Sequence, residues 1–263
     1  MELVEESGMK RQERWVIKIG SGVLSDPRGR LDHVQIKSLV DQIAKLHRQK
    51  IEPVIVTSGA VAAGMGILGV AERPKVIQDL QACAAIGQPQ LMRVYEELLQ
   101  KHKLHAAQIL LTYFDLDSRK LFANAQKTIE TLIGHHSFIP IINENDVVSY
   151  EEIKFGDNDR LSAEVALMVK ATRLVILSNI EGLSTSQDGK GELIPVVKKV
   201  DASIEALAGK TNSQTSVGGM ISKLTAAKLV TGARIPMWIA NGRRKNILVD
   251  LAAGKKLGTH FLA

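Results

Sequence analysis

Short apolar runs recur along this chain, and each gives way at its carboxyl end to glycine or small polar residues. Trp15 to Ile19, Pro53 to Thr57, Phe138 to Ile142 and Arg173 to Leu177 are such runs, followed by Gly20, Ser58, Asn143 and Ser178. Apolar without alternation and rich in β-branched residues, they suit strands buried on both faces. Helical sequence lies between them. Near Val34 to Gln49, Ile36, Leu39, Val40, Ile43 and Leu46 repeat at a 3.6-residue period. Ala60 to Leu68 reads as a small-residue helix, and Lys75 to about His102 as a long one that Gly87-Gln88-Pro89 is expected to break. Further helices are expected at Arg119 to Ile133, Arg160 to Lys170 and Gly219 to Thr231, with strands at His105 to Leu111 and Ile235 to Ala240. Strands alternating with helices imply a three-layer α/β/α sandwich around a mostly parallel sheet. Ligands of such sheets sit outside the carboxyl ends of the strands, where one crevice can gather Gly20, Ser58, Asn143 and Ser178.

The 263 residues fit one α/β domain over 14–263, preceded by a frayed tail over 1–13. The opening MELVEESGMKRQ carries three glutamates and no apolar core, which excludes a secretory signal or an acid-poor presequence. No apolar run approaches the roughly 20 residues that span a bilayer, so no membrane partner is expected. A single cysteine, Cys83, excludes an internal disulfide framework and fits a cytoplasmic setting. The net charge of +6 raises the question of nucleic acid. The basic residues are scattered and aromatic content is only 4%, so stacking and base readout lack their usual parts, and a small anionic substrate is the simpler partner. The pairs His135-His136 and His102/His105 have no cysteine or carboxylate companions at metal-ligand spacing and read as ordinary histidines.

The densest chemistry lies between Pro140 and Ala163. Two acid-amide clusters, Asn143-Glu144-Asn145-Asp146 and Gly156-Asp157-Asn158-Asp159, read as loops beside a buried strand. The second opens a helix, where free N–H groups and the positive dipole end favour anions. Helix capping accounts for one of its polar residues, but not for both clusters. Familiar nucleotide fingerprints fail. Gly20-Ser21-Gly22 lacks the third glycine and the later acid of a dinucleotide turn, and Gly209-Lys210-Thr211 imitates a P-loop end without its first glycine or preceding strand. Three lysine-glycine features remain. Lys18 is a charge inside an apolar strand just before Gly20, an odd place unless it faces an anion, although snorkelling from the strand end is the alternative. Gly218-Gly219-Met220-Ile221-Ser222-Lys223 is a glycine pair opening a helix, with a lysine one turn in; it can cradle phosphate or simply be a helix start. Ser58-Gly59-Ala60 lets an anion approach the backbone, or is only a tight strand-to-helix turn. Together these are the parts of phosphoryl transfer without a Walker motif, in which positioning and charge neutralisation supply most of the rate.

Six segments, in order and spacing, carry a family resemblance: VIKIGSGVLS (16–25), VTSGAVAAG (56–64), AAIGQPQLM (84–92), PIINENDVV (140–148), IKFGDNDRLSA (153–163) and VGGMISKLTAA (217–227). The chain resembles glutamate 5-kinase of the amino acid kinase superfamily over essentially Val16 to His260. Many members carry a C-terminal PUA domain; this chain ends at GTHFLA and resembles the short, single-domain form. The resemblance implies the amino acid kinase fold and transfer of the ATP γ-phosphoryl group to the side-chain carboxylate of L-glutamate, the first step of proline biosynthesis. It assigns Lys18 and Lys223 to the transferred phosphoryl group, with Asp159 holding both lysines. Ser58, Gly59, Asp146 and Asn158 match the glutamate site, Asp146 suiting the ammonium group and Ser58 and Asn158 donating to carboxylates. Lys18, Ser178, Asn179 and the run Val217, Gly218, Gly219, Met220, Ile221, Ser222 and Lys223 match the ATP site. Ser178-Asn179 stands where the family usually has Thr-Asp, and Val217 where it has Thr, both departures bearing on the nucleotide. Mg2+ is expected to accompany ATP, without an assigned protein ligand. L-Proline as feedback inhibitor, a homo-oligomer and handover to glutamyl phosphate reductase are also implied. The alternatives are another amino acid kinase acting on a different carboxylate or carbamate, and a catalytically silent amino-acid sensor or nucleic-acid-binding module that kept the fold. Retention of both lysines and Asp159 speaks against silence.

Overall fold

The computed structural model describes residues 12–148, 158–187, 191–208 and 219–263. Asp157 and Gly156, the pair Val217-Gly218 and the loop expected at 209–211 lie outside them. Eight strands of the described residues form one sheet: β1 (Glu13–Ile19), β2 (Ile51–Thr57), β3 (His105–Leu111), β4 (Phe138–Glu144), β5 (Arg173–Ser178), β6 (Val196–Val197), β7 (Met237–Asn241) and β8 (Thr259–Phe261). Their order is β3-β4-β2-β1-β5-β7-β8-β6. Every neighbouring pair runs parallel except β7 and β8. The helices are α1 (Ser21–Leu24), α2 (His33–Arg48), α3 (Ala60–Leu68), α4 (Ile77–Leu99), α5 (Tyr113–Asp117), α6 (Arg119–Gly134), α7 (Asp159–Met168), α8 (Ala202–Ala206), α9 (Met220–Gly232) and α10 (Ile247–Ala252).

The pleat of β1 divides the core between the two faces of the sheet. Trp15, Ile17 and Ile19 point into one cluster with Ile36, Leu39 and Ile43 of α2 and Leu91, Val94 and Tyr95 of α4. Val16 points the other way, into a cluster with Ile129 and Ile133 of α6, Leu161 and Val165 of α7 and Leu224 and Ala227 of α9. By the same two-residue period Lys18 lies on the α7 and α9 side. The covered sheet and its flanking helices are the sandwich anticipated from the alternation of elements.

The structure corrects several boundaries. α4 runs unbroken through Gly87-Gln88-Pro89, with Pro89 inside the helix. Proline removes one N–H, and the carbonyl left without it belongs to exposed Ala85, where water can serve it. Asn143 and Glu144 are strand residues, not loop: they pair with Leu110 and Leu111 of β3 and are buried. Ile235 belongs to the exit of α9, its N–H bonded to the Val230 carbonyl, so β7 begins at Met237.

Candidate active site

At the carboxyl ends of β1, β2, β4 and β5, the parallel sheet brings the predicted polar side chains to one end of the molecule. Chain order reverses between β1 and β5, the kind of position where open α/β sheets bind ligands. The turn after β1 touches the end of β5: Gly20 donates its N–H to the Leu177 carbonyl at 3.1 Å. Nδ2 of Asn179 lies 3.6 Å from where a Cβ on Gly22 would stand. Ser178 and Asn179, assigned to the nucleotide by the resemblance, therefore sit beside the glycine turn, their side chains 3.4 Å apart.

Three charged side chains are buried there together. Lys18 Nζ lies 2.6 Å from Oδ1 of Asp159, and Lys223 Nζ lies 2.8 Å from Oδ2. Asp159 is fully buried and both lysines are nearly so. Lys18 thus faces an anion on its own side of the sheet and does not snorkel to water. Asp159 opens α7, where the helix dipole favours a carboxylate, and packing of α7 on α9 brings Lys223 to its second oxygen. Burial by itself opposes ionisation of Asp159, but Lys18 and Lys223 outweigh it and hold the carboxyl well below its ordinary value. Two cations thus meet on one buried anion, which holds them together at the strand ends. The hydroxyl of Ser222 turns inward, 3.1 Å from Oδ2 of Asp159 and 2.8 Å from the Gly219 carbonyl. It supports the triad from the start of α9, where Gly219 is the N-cap, Met220 is partly buried and Ile221 is exposed.

The second group surrounds the end of β2. Thr57 and Ser58 are buried, and Gly59 turns the chain into α3 with φ of 101°, a left-handed conformation that glycine adopts without strain. Thr57 Oγ1 meets the hydroxyl of fully buried Tyr95 at 3.0 Å. Asn158, the N-cap of α7, makes no side-chain cap bond. Its Nδ2 instead donates to the Thr57 carbonyl at 2.5 Å and to Oδ1 of Asn143 at 2.7 Å, with Ser58 Oγ at 3.4 Å. Both amide hydrogens thus meet acceptors inside the protein, and the amide oxygen is an acceptor only.

Asp146 lies just past β4 and is half-buried. Burial raises its carboxyl to about 6, and the charge of Arg73 only partly offsets this. Arg73, in the segment between α3 and α4, feels Asp146 in return. No sequence pattern marked Arg73, because its partner lies 73 positions away in the chain. Gln88 of α4 was equally unmarked, although it sits in one of the segments that carry the resemblance. The structure therefore gathers Lys18, Lys223 and Asp159 at one point and Ser58, Gly59 and Asn158 at another, with Asn158 and Asp159 adjacent in the chain and joining the two.

Residues 13–241 match the model of the amino acid kinase family. A glutamate 5-kinase of Pelobacter propionicus is 45% identical over 256 residues, covering 96% of this chain and 68% of that protein. One from Clostridium acetobutylicum is 43% identical over 260 residues, covering 98% of this chain and 97% of that protein. Among solved structures, a UMP kinase from Bacillus anthracis superposes with a TM-score of 0.63 at 12% identity, covering 95% of this chain and 96% of that one, a likeness of fold alone.

Proposed function

Because the chain belongs to the glutamate 5-kinase family of amino acid kinases, we infer that it transfers the γ-phosphoryl group of ATP to the side-chain carboxylate of L-glutamate. The products are ADP and L-glutamyl 5-phosphate, and the reaction is the first step of proline biosynthesis. A carboxylate oxygen of glutamate forms a bond to the γ-phosphorus while the bond from that phosphorus to the β,γ-bridging oxygen breaks. The side-chain carboxyl is already ionised at neutral pH, with a pKa of about 4.3, so no general base is needed. The difficulty is electrostatic: one anion must approach another, and charge is redistributed over the phosphoryl oxygens as the bond to ADP loosens.

The observation that carries the reading is the buried Lys18–Asp159–Lys223 group at the strand ends. Each ammonium meets one oxygen of Asp159. In this reading the two ammonium groups, gathered at the strand ends on Asp159, are the cations that meet the phosphoryl oxygens. Asp159 keeps the two cations a fixed distance apart and ready, so that little reorganisation accompanies transfer. Magnesium comes with ATP as part of the substrate and offsets charge on its phosphates. Asp159, engaged on both oxygens, is not its ligand in this reading. In the acceptor site, Asp146 and the Asn158 oxygen take the α-ammonium group, while Ser58 and the backbone around Gly59 take a carboxylate. In the nucleotide site, Ser178, Asn179 and the start of α9 face ATP. Val217 and Gly218 are assigned to it by the resemblance.

We extend the proposal to L-proline as a feedback inhibitor, self-association of the chain, a cytoplasmic setting in keeping with its single cysteine, and delivery of the labile acyl phosphate to a reductase. The reading is tested by ADP release with a panel of acids under MgATP. L-Glutamate should be the preferred acceptor; equal or better turnover with aspartate, N-acetylglutamate or carbamate would move the chain to another amino acid kinase activity.

A further inference from the structure

Asn158, Asn143, Gln88 and Gln108 form a line of side-chain amides whose polarity is fixed by the backbone at one end. The Thr57 carbonyl can only accept, so the amide nitrogen of Asn158 must face it. The other N–H of Asn158 goes to Oδ1 of Asn143, and that same oxygen accepts from the backbone N–H of Glu144 at 2.9 Å. Asn143 is therefore oriented twice over. Its Nδ2 donates to Oε1 of Gln88 at 2.8 Å, and Nε2 of Gln88 donates to Oε1 of Gln108 at 2.8 Å. Once the first amide is set, each of the others has one satisfactory orientation.

Gln88 is brought to this line by an unusually close helix crossing. A Cβ on Gly87 would lie 1.9 Å from the Ala60 carbonyl oxygen and 2.3 Å from the Gly64 nitrogen, so only glycine lets α4 lie this close to α3. The crossing is beside Ser58 and Gly59, and it holds the half-buried Gln88 within reach of Asn143.

Building on the acceptor site assigned above, we propose that Gln88 is a positioning residue for the amino acid substrate. By accepting from Asn143 it holds the Asn143 oxygen toward Asn158. That keeps the Asn158 nitrogen turned inward and its oxygen available to the substrate ammonium beside Asp146. Gln88 itself touches neither substrate. Without its acceptor, Asn143 is left with a buried N–H unsatisfied, and the line loses the contact that ties Asn143, and through it Asn158, to α4.

The test compares Gln88→Leu, which removes the acceptor, with Gln88→Glu, which retains it and lets the Gln108 amide turn to donate. Gln88→Leu should raise the KM for glutamate about tenfold, the scale of one lost buried hydrogen bond. Its kcat and ATP KM should stay within about twofold, and Gln88→Glu should restore most of the loss. An unchanged glutamate KM, or parallel falls in kcat, ATP affinity and melting temperature, would overturn the proposal. A second readout is the side-chain amide signal of Asn158 in protein carrying 15N-asparagine, without substrates. It should move in Gln88→Leu and hold in Gln88→Glu. If the wild-type protein used no glutamate, the acceptor reading would fall; an Asn158 signal unmoved in Gln88→Leu would then overturn the amide line separately.

Discussion

Lys18 shows how a single residue can announce a site. A lysine within a run of buried apolar residues costs several kcal/mol unless a counter-charge meets it, and the two-residue period of β1 sends it to the face where Asp159 waits. Lys223 was legible more weakly, since a glycine pair opening a helix has an ordinary structural meaning; its pairing with Asp159 needed the packing of α7 on α9. If these two ammonium groups act on charge that grows in the transition state, Lys18→Ala and Lys223→Ala should each lower kcat by about a hundredfold or more, checked by steady-state rates on folded protein. An unchanged kcat in either variant would remove that lysine from the chemistry. Asp146 makes a prediction about pH. Its carboxyl is raised to about 6 from 3.8, chiefly by burial, and only the ionised form can hold an ammonium group. The KM for glutamate should therefore rise as pH falls through about 6 and level off above it, with Asp146→Asn raising KM and flattening the profile. The sign for stability is opposite. A raised folded value means the protonated carboxyl contributes stability that is fully present below 3.8 and is lost as pH rises through about 6.

Elements were read from the sequence more surely than their ends. Non-alternating apolar runs identified β1, β2 and β5 because parallel strands are buried on both faces. The short strands β6 and β8, at and next to one edge of the sheet, have only two and three residues and left no such signal. Gly87 and Pro89 were misread as a helix break. Their meaning is tertiary: Gly87 allows α3 and α4 to touch backbone to backbone, and Pro89 sits on the exposed side of α4. Gly64 takes the matching role on α3, where a Cβ would lie 1.9 Å from the Cys83 carbonyl oxygen. Gly87→Ala should accordingly destabilise the fold by about 1–3 kcal/mol, an overpacking cost, despite the higher helix propensity of alanine. Chemical denaturation would measure it, and a variant as stable as the parent would contradict the crossing described. The acid-amide segment was recognised by composition, but its division of labour was not. Asn158, at the start of α7, donates inward because Thr57 and Asn143 converge on it from β2 and β4, which no local pattern could reveal.

For the whole molecule, the sheet gathers Lys18, Asp159 and Lys223 beside Ser58 and Asn158 from elements far apart in sequence to one end, and the acceptor site proposed there makes a prediction about L-proline. Proline carries an α-carboxylate and a cationic nitrogen, but no side-chain carboxylate to phosphorylate. It should compete with glutamate through Asp146 and Asn158 and be relieved by saturating glutamate; inhibition that persists would require a separate site and a coupling energy. Asp146→Ala should weaken both ligands together. The central claim is that the side-chain carboxylate of glutamate attacks phosphorus, and it leaves an isotopic trace. Glutamate labelled with 18O in its side-chain carboxylate, incubated with the protein, MgATP and hydroxylamine, should give a γ-hydroxamate and inorganic phosphate. Hydroxylamine attacks the acyl carbon, so each phosphate released should carry one 18O taken from glutamate. Phosphate free of 18O, formed in a glutamate-dependent reaction, would contradict the account.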